Sequence, residues 1–276
     1  MMTIARHSRV LLASAFMACA PLALSASAEA ATCGTGSFDS WLATFKRDAI
    51  AQGISERAAS AALSGIKLDQ SVLSRDRSQH VFRQSFEEFS GRMIPPRLTR
   101  GSNQMKRYGS VLSRIEQRYG VPGAVLVAIW GLETDFGVNT GKFPTIQALA
   151  TLAYDCRRSE LFRAELMDAL RIVERGDLSP AEMRGAWAGE IGQTQFMPSS
   201  YIKYAVDFDG NGHRDLIHSA PDVLASTANF LASSGWRRNQ GWQPGEPNFE
   251  VIRAWNKSQV FARTIAEFAV RLDRQE

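Results

Sequence analysis

The chain has 276 residues, 45% of them hydrophobic and 22% charged, with a formal net charge of +4. That length buries one good core, or one core and a smaller helical layer, and the composition is that of an ordinary globular protein. The small positive excess suits an anionic polymer, but no basic cluster carries the interleaved aromatics that track nucleic acid, so nucleic acid is excluded as a partner.

Residues 1–30 read as a targeting segment. Arg6 and Arg9 form a positive start, Val10 to about Leu24 an apolar stretch, and Ala28-Glu29-Ala30 a small-residue cleavage site before Ala31. Its removal takes away two arginines and one glutamate, so the charge falls from +4 to +3. The run is short and interrupted by Pro21, which argues against a membrane anchor and for an exported, periplasmic protein. The alternative is an outer-membrane lipoprotein through Cys19, although Phe16, Met17 and Ala18 before it lack the expected leucine. Cleavage leaves two cysteines in an oxidising compartment, so a Cys33–Cys156 disulfide is expected, with two free buried thiols as the alternative.

From Phe38 to about Gly120 the pattern is helical throughout. Trp41, Leu42, Phe45, Ile50, Ile54, Ala58, Leu63 and Ile66 recur at helical spacing, broken by Gly53 and Gly65. Phe82, Phe86 and Phe89 repeat on one face, Pro95 and Pro96 interrupt, and Leu112, Ile115 and Tyr119 mark a further helix. No alternating strand run of any length is present, so the fold class is mainly α.

Val121 to Gly137 reads VPGAVLVAIWGLETDFG, an apolar run that ends on one carboxylate, Glu133. Pro122 suits a first turn and Gly137 a stop, which predicts a buried helix of about three turns. Apolar neighbours, the negative end of the helix dipole and nearby Asp135 would all raise the Glu133 pKa. A carboxylic acid held protonated near neutral pH can donate a proton to a leaving oxygen. The bland alternative makes Glu133 the first solvated residue after a core helix.

Downstream, Phe143, Ile146, Leu149 and Leu152 predict a short helix and Leu161, Leu166, Leu170 and Ile172 another. Between them Arg157 and Arg158 are either solvated or placed to hold carboxylates of a substrate. In GAWAGEIGQTQFMPSSY, Gly185 to Tyr201, Gly189 and Gly192 permit close backbone approach, Gln195 offers donor and acceptor, and Tyr201 an aromatic face. Such a set suits a sugar-binding groove, because hydroxyls need paired donors and acceptors and the ring's C–H face needs a flat apolar partner. Asp207, Asp209, Asn211, Gly212 and Asp215 then fall at positions 1, 3, 5, 6 and 9 of a calcium loop, with the His213 carbonyl at position 7. The twelfth position is His218 in place of glutamate, so the alternative is an acidic turn that needs no ion.

GLETDFG around Glu133, KFPTIQALATLAYDCRRSELF from Lys142 to Phe162, and the run ending at Tyr201 together resemble the B-type lytic murein transglycosylases. So do YAVDFDGNGHRDL from Tyr204 and NFLASSGW from Asn229, and the match extends over at least Phe82 to Phe261. The resemblance implies a lysozyme-like catalytic domain wrapped by an α-helical domain: helices over 31–118, the catalytic core over 119–250 and a completing segment over 251–276. It implies cleavage of the β-1,4 bond between N-acetylmuramic acid and N-acetylglucosamine in peptidoglycan glycan strands, leaving a 1,6-anhydromuramoyl end. No cofactor is required for that chemistry, and wall-remodelling or secretion machinery are the partners to expect.

By the same resemblance Glu133 is acid and then base, and Gln195 meets acetamido or hydroxyl groups, with Tyr201 in support. Phe89 stands where relatives often carry tyrosine. Trp255 and Phe261, in AWNKSQVFA, would be stacking residues of the groove, with core packing as the alternative. Ala186 replaces a serine common in relatives, which removes a hydrogen bond that would tune the acid. A later aspartate closes the metal loop of relatives, which makes Asp222 the last ligand of a weak structural calcium here. A hydrolase would instead need Asp135 or Glu190 as a second carboxylate, although two residues on from Glu133 a helix would turn Asp135 away. A silent wall binder would have no need of Glu133.

Overall fold

The structure is a computed structural model, and it describes residues 33–78 and 84–274. The targeting segment, Cys19 and Phe82 lie outside the described residues. The expected disulfide between Cys33 and Cys156 is present. It ties the start of the described chain to the residues just after the eighth helix.

Three short helices come first: α1 (Phe38–Ala51), α2 (Glu56–Leu63) and α3 (Gln70–Arg77). Each begins on a side-chain cap, Ser37, Ser55 and Asp69, which accepts backbone N–H groups that a first turn leaves unpaired. Trp41 and Phe45 stack at 5.6 Å between ring centres and are buried. Beyond the undescribed stretch come α4 (Phe86–Met93), α5 (Pro95–Arg107) and α6 (Gly109–Tyr119). Pro95 opens α5 at its first position, where a missing N–H does no harm.

The seventh helix, α7 (Gly123–Thr134), is the axis of the molecule. Of its residues only Glu133 is not fully buried. It packs against α5 and α6 and, further along the chain, against two helices of the C-terminal half. That all-round contact explains why the run carries no polar face. The helix stops earlier than Gly137: Asp135 and Phe136 already have φ of 58° and 61°. Neither is glycine, and the left-handed conformation costs each about 1–2 kcal/mol. The Phe136 ring meets Trp130 edge-on at 5.7 Å, and Arg100 donates to the Asp135 carbonyl at 2.9 Å, so packing and hydrogen bonding hold the turn.

A pair of two-residue strands, β1 (Phe143–Pro144) and β2 (Arg184–Gly185), runs antiparallel with Phe143 opposite Gly185. Phe143 therefore precedes its helix instead of opening it. The helices that follow are α8 (Thr145–Tyr154), α9 (Ser159–Arg175), α10 (Pro198–Tyr204) and α11 (Ala220–Ser233), then α12 (Phe249–Trp255) and α13 (Gln259–Asp273). The two C-terminal-half helices on α7 are α11 and α13. Buried side chains from most of these helices form one continuous core. No helix among the described residues is long and apolar enough to cross a membrane.

Candidate active site

Glu133 sits in the last turn of α7, partly buried, where the apolar helix reaches the surface. Its Oε1 accepts a hydrogen bond from Trp255 Nε1 at 2.9 Å. Trp255 closes α12, and its ring lies 5.4 Å from Phe196 and 5.1 Å from Phe230. Three elements remote in sequence thus build one aromatic wall beside one carboxyl group.

Loss of water is the main influence on Glu133 and pushes its pKa up to about 7. The Trp255 bond opposes the rise, and repulsion from the Glu190 carboxylate adds to it. Burial likewise raises Glu190, while the backbone N–H groups of Glu190 and Ala188 pull it down; the latter lies 3.0 Å from Oε2. Glu190, expected at the groove or the surface, is therefore the second carboxylate that acts on the acid. Asp135 does not have that role. It leaves the helix and pairs with Arg97 at 3.5 Å and with Arg100.

The segment from Gly185 to Phe196 is folded by its own polar side chains. Gln193 accepts from Trp130 Nε1 at 2.8 Å and donates to the Ile217 carbonyl at 2.8 Å, and the Thr134 hydroxyl donates to the Gln193 carbonyl. Gln195 donates to the carbonyls of Thr140 and Gly192 at 2.9 and 2.6 Å and accepts from Ala186 N–H at 3.1 Å. Both amide protons are thereby used, which leaves one acceptor lone pair of Gln195 for a ligand. The close approaches at Gly189 and Gly192 are made by the protein itself. A Cβ at Gly189 would lie 2.3 Å from Leu149, and one at Gly192 2.2 Å from the Leu216 carbonyl.

Other expected site residues make their main contacts within the protein. Tyr201 is fully buried and donates its hydroxyl to the Arg214 carbonyl, and burial drives its pKa far up, so no face remains for a sugar. Phe89 is buried against Phe261, 6.1 Å between ring centres, and Phe261 is itself only partly exposed. Arg157 and Arg158 turn onto Asp76, which is buried on α3; Arg157 Nε and Nη2 lie 2.6 and 2.8 Å from its Oδ2 and backbone carbonyl. A buried carboxylate needs such partners, so the pair clamps two layers together instead of reaching for a substrate.

One position suits a metal ion. Oxygen atoms of Asp207, Asp209 and Asp222 lie within 4.8 Å of one another, and among the described residues no lysine or arginine pairs with them. Asp207 also accepts from the N–H groups of Gly210, Asn211 and Gly212, which shapes the loop. Three hard oxygen donors fit calcium. His218 bonds to Asp215 at 3.1 Å, and the acidic cluster of Asp207, Asp209 and Asp222 includes no histidine among the described residues.

A profile of the transglycosylase SLT domain matches residues 37–245. The chain belongs to this SLT family. Over 164 residues it is 38% identical to membrane-bound lytic murein transglycosylase B of Escherichia coli K12, a match covering 56% of the chain and 45% of that relative. The chain thus spans less than half the length of this curated relative. Among solved family structures, Pseudomonas aeruginosa SltB3 in complex with NAG-NAM-pentapeptide superposes with a TM-score of 0.82 at 31% identity, covering 86% of this chain and 80% of that one. SltB3 has also been solved with NAG-anhNAM-pentapeptide, at a TM-score of 0.81 and 32% identity over the same shares of both chains. The Escherichia coli lytic transglycosylase Slt35 in complex with calcium gives 0.76 at 26% identity, covering 85% and 93%. The mainly helical, lysozyme-like fold expected from the sequence is that of these family structures.

Proposed function

We propose that the protein is a lytic transglycosylase that cleaves the MurNAc-β-1,4-GlcNAc bond of peptidoglycan and leaves 1,6-anhydromuramoyl ends. The observation that carries this reading is one carboxyl group, Glu133, with a pKa near 7 beside an aromatic wall, with the Glu190 carboxylate partly buried and held by the Ala188 N–H. A glycoside hydrolase of the usual kind needs two carboxyl groups, and Asp135 is neutralised by Arg97 and Arg100. The complexes of SltB3 with the NAG-NAM and NAG-anhNAM peptides support the same substrate and product classes.

In the proposed cycle the Glu133 proton passes to the glycosidic oxygen as the C1–O bond breaks, and the substrate's own acetamido oxygen bonds to C1. The Glu133 carboxylate then takes the proton of the muramic 6-hydroxyl. That oxygen displaces the acetamido group at C1, and Glu133 ends protonated as it began. No water is consumed and no metal is needed at the reacting atoms. The Asp207, Asp209 and Asp222 oxygens, with Asn211 and the His213 carbonyl, would hold a structural calcium away from the chemistry. A removable segment over residues 1–30 would deliver the protein to the periplasm, where the wall is.

Mass spectrometry of soluble products from purified peptidoglycan tests the reading, with the protein and with Glu133→Gln in parallel. Anhydromuropeptides from the first and none from the second are expected. Products one water heavier would overturn it and make Glu190 the candidate base.

A further inference from the structure

Trp255 meets the acid as a hydrogen-bond donor, a role distinct from stacking on a sugar. Indole N–H donates and never accepts. Glu133 Oε1, 2.9 Å from Trp255 Nε1, must therefore be an acceptor whether or not the carboxyl group is protonated. The proton is left to Oε2. Among the described residues Trp255 is the one side chain that hydrogen-bonds to this carboxyl group. Ala186, on the neighbouring segment, has no hydroxyl to share the task.

The indole is held by contacts that do not involve Glu133. Phe196 and Phe230 flank it at 5.4 and 5.1 Å, the second ring nearly perpendicular at 82°. The donor is thus aimed before the carboxylate exists. A bond to a carboxylate is about twice as strong as one to a neutral acid, so this one strengthens as Glu133 gives up its proton. An interaction stronger after proton loss than before it lowers the barrier to proton transfer.

We infer that Trp255 is a positioning residue that reserves Glu133 Oε2 for the proton in both halves of the reaction and stabilises the carboxylate between them. This rests on the assignment of Glu133 as acid and base. The charged surroundings leave the role to Trp255. Glu190, on the 185–196 segment, repels the carboxylate. Asp135, Arg97 and Arg100 satisfy one another where α7 meets α5. On α13, Glu267 pairs with Arg271, and Arg263 lies over Phe86. On α6, Arg114 lies over Phe208 and Arg118 over Tyr119.

Trp255→Phe keeps an aromatic ring and removes the donor; site-specific replacement of Trp255 by its sulfur isostere, benzothienylalanine, keeps the ring shape as well. Each is compared with the unaltered protein by kcat, KM and the pH profile on peptidoglycan, with Glu133→Gln as a control. Expected is a roughly ten- to hundredfold lower kcat, KM within about twofold, and an alkaline limb moved upward because the carboxylate has lost a stabilising bond. A loss of packing alone would lower kcat without moving that limb. A normal pH profile and kcat in the isostere, with Glu133→Gln inactive, would overturn the inference and leave the acid assignment standing. Full activity in Glu133→Gln would overturn both.

Discussion

Trp255 Nε1 lies 2.9 Å from Glu133 Oε1, joining residues 122 positions apart at the mouth of the apolar helix. Around that bond, burial outweighs hydrogen bonding, and the carboxyl pKa rises to about 7. The acid form begins the proposed reaction. The rate should therefore hold below about pH 7 and fall about tenfold per unit above it, as the carboxylate replaces the acid. The pH dependence of kcat/KM on isolated glycan strands checks this, and a flat profile to pH 9 would contradict it.

The same shift bears on stability. An unfolded glutamate has a pKa near 4.5, and the folded one holds its proton to about 7. Between those values the unfolded state ionises first, so Glu133 takes stability away as pH rises through that window and no further above it. Glu133→Gln lacks the ionisation. It should match the unaltered protein at pH 4 and exceed it by roughly 3 kcal/mol at pH 8, measured by denaturant unfolding at both values.

Glu133 was legible in the sequence because an unbroken apolar run ending on one carboxylate can hardly be anything but a core helix reaching the surface. The disulfide was legible because only two cysteines remain after residue 30. The fate of Asp135 was not. Two successive non-glycine residues at positive φ, 58° and 61°, are chosen by Phe136 packing and by Arg100, neither a local signal. Tyr201, Gly189 and Gly192 looked like groove residues because buried polar contacts and sugar contacts draw on the same residue types. Their partners, Arg214, Leu149 and Leu216, are set by the fold. Asp76 carried no signal, since its two arginines are 81 and 82 residues away.

Asp76 is the point where α3 meets the Cys156 end of α8. Its carboxylate is only 2% exposed; burial would raise its pKa, but Arg157 and Arg158 overcome that and hold it below the ordinary range. A depressed acid contributes stability above its unfolded pKa and loses it as pH falls. Asp76→Asn should therefore destabilise the fold by roughly 2–4 kcal/mol at pH 7 and by less at pH 3. Urea unfolding reads both. A substrate role for the arginines predicts the reverse, a raised KM with unchanged stability.

The acidic loop separates an ion site from a turn that needs none. Asp222, fully buried at the start of α11, accepts from the N–H groups of Phe208, Asp209 and Asp215, so its loss would disturb the turn with or without metal. Asp209 is exposed and accepts from the Asn211 N–H at 3.2 Å and the Ser219 hydroxyl at 2.7 Å, fewer backbone ties than Asp222 has, which makes Asp209→Asn the cleaner probe. Calcium at ten times its Kd should stabilise the protein by about 1.4 kcal/mol, a rise of a few degrees in Tm. Asp209→Asn should melt near the unaltered protein without calcium and respond weakly or not at all to it. Magnesium should not substitute, because it demands a smaller and more regular oxygen shell. Equal melting with and without millimolar calcium would remove the ion and leave three carboxylates held by backbone N–H groups and the Ser219 hydroxyl.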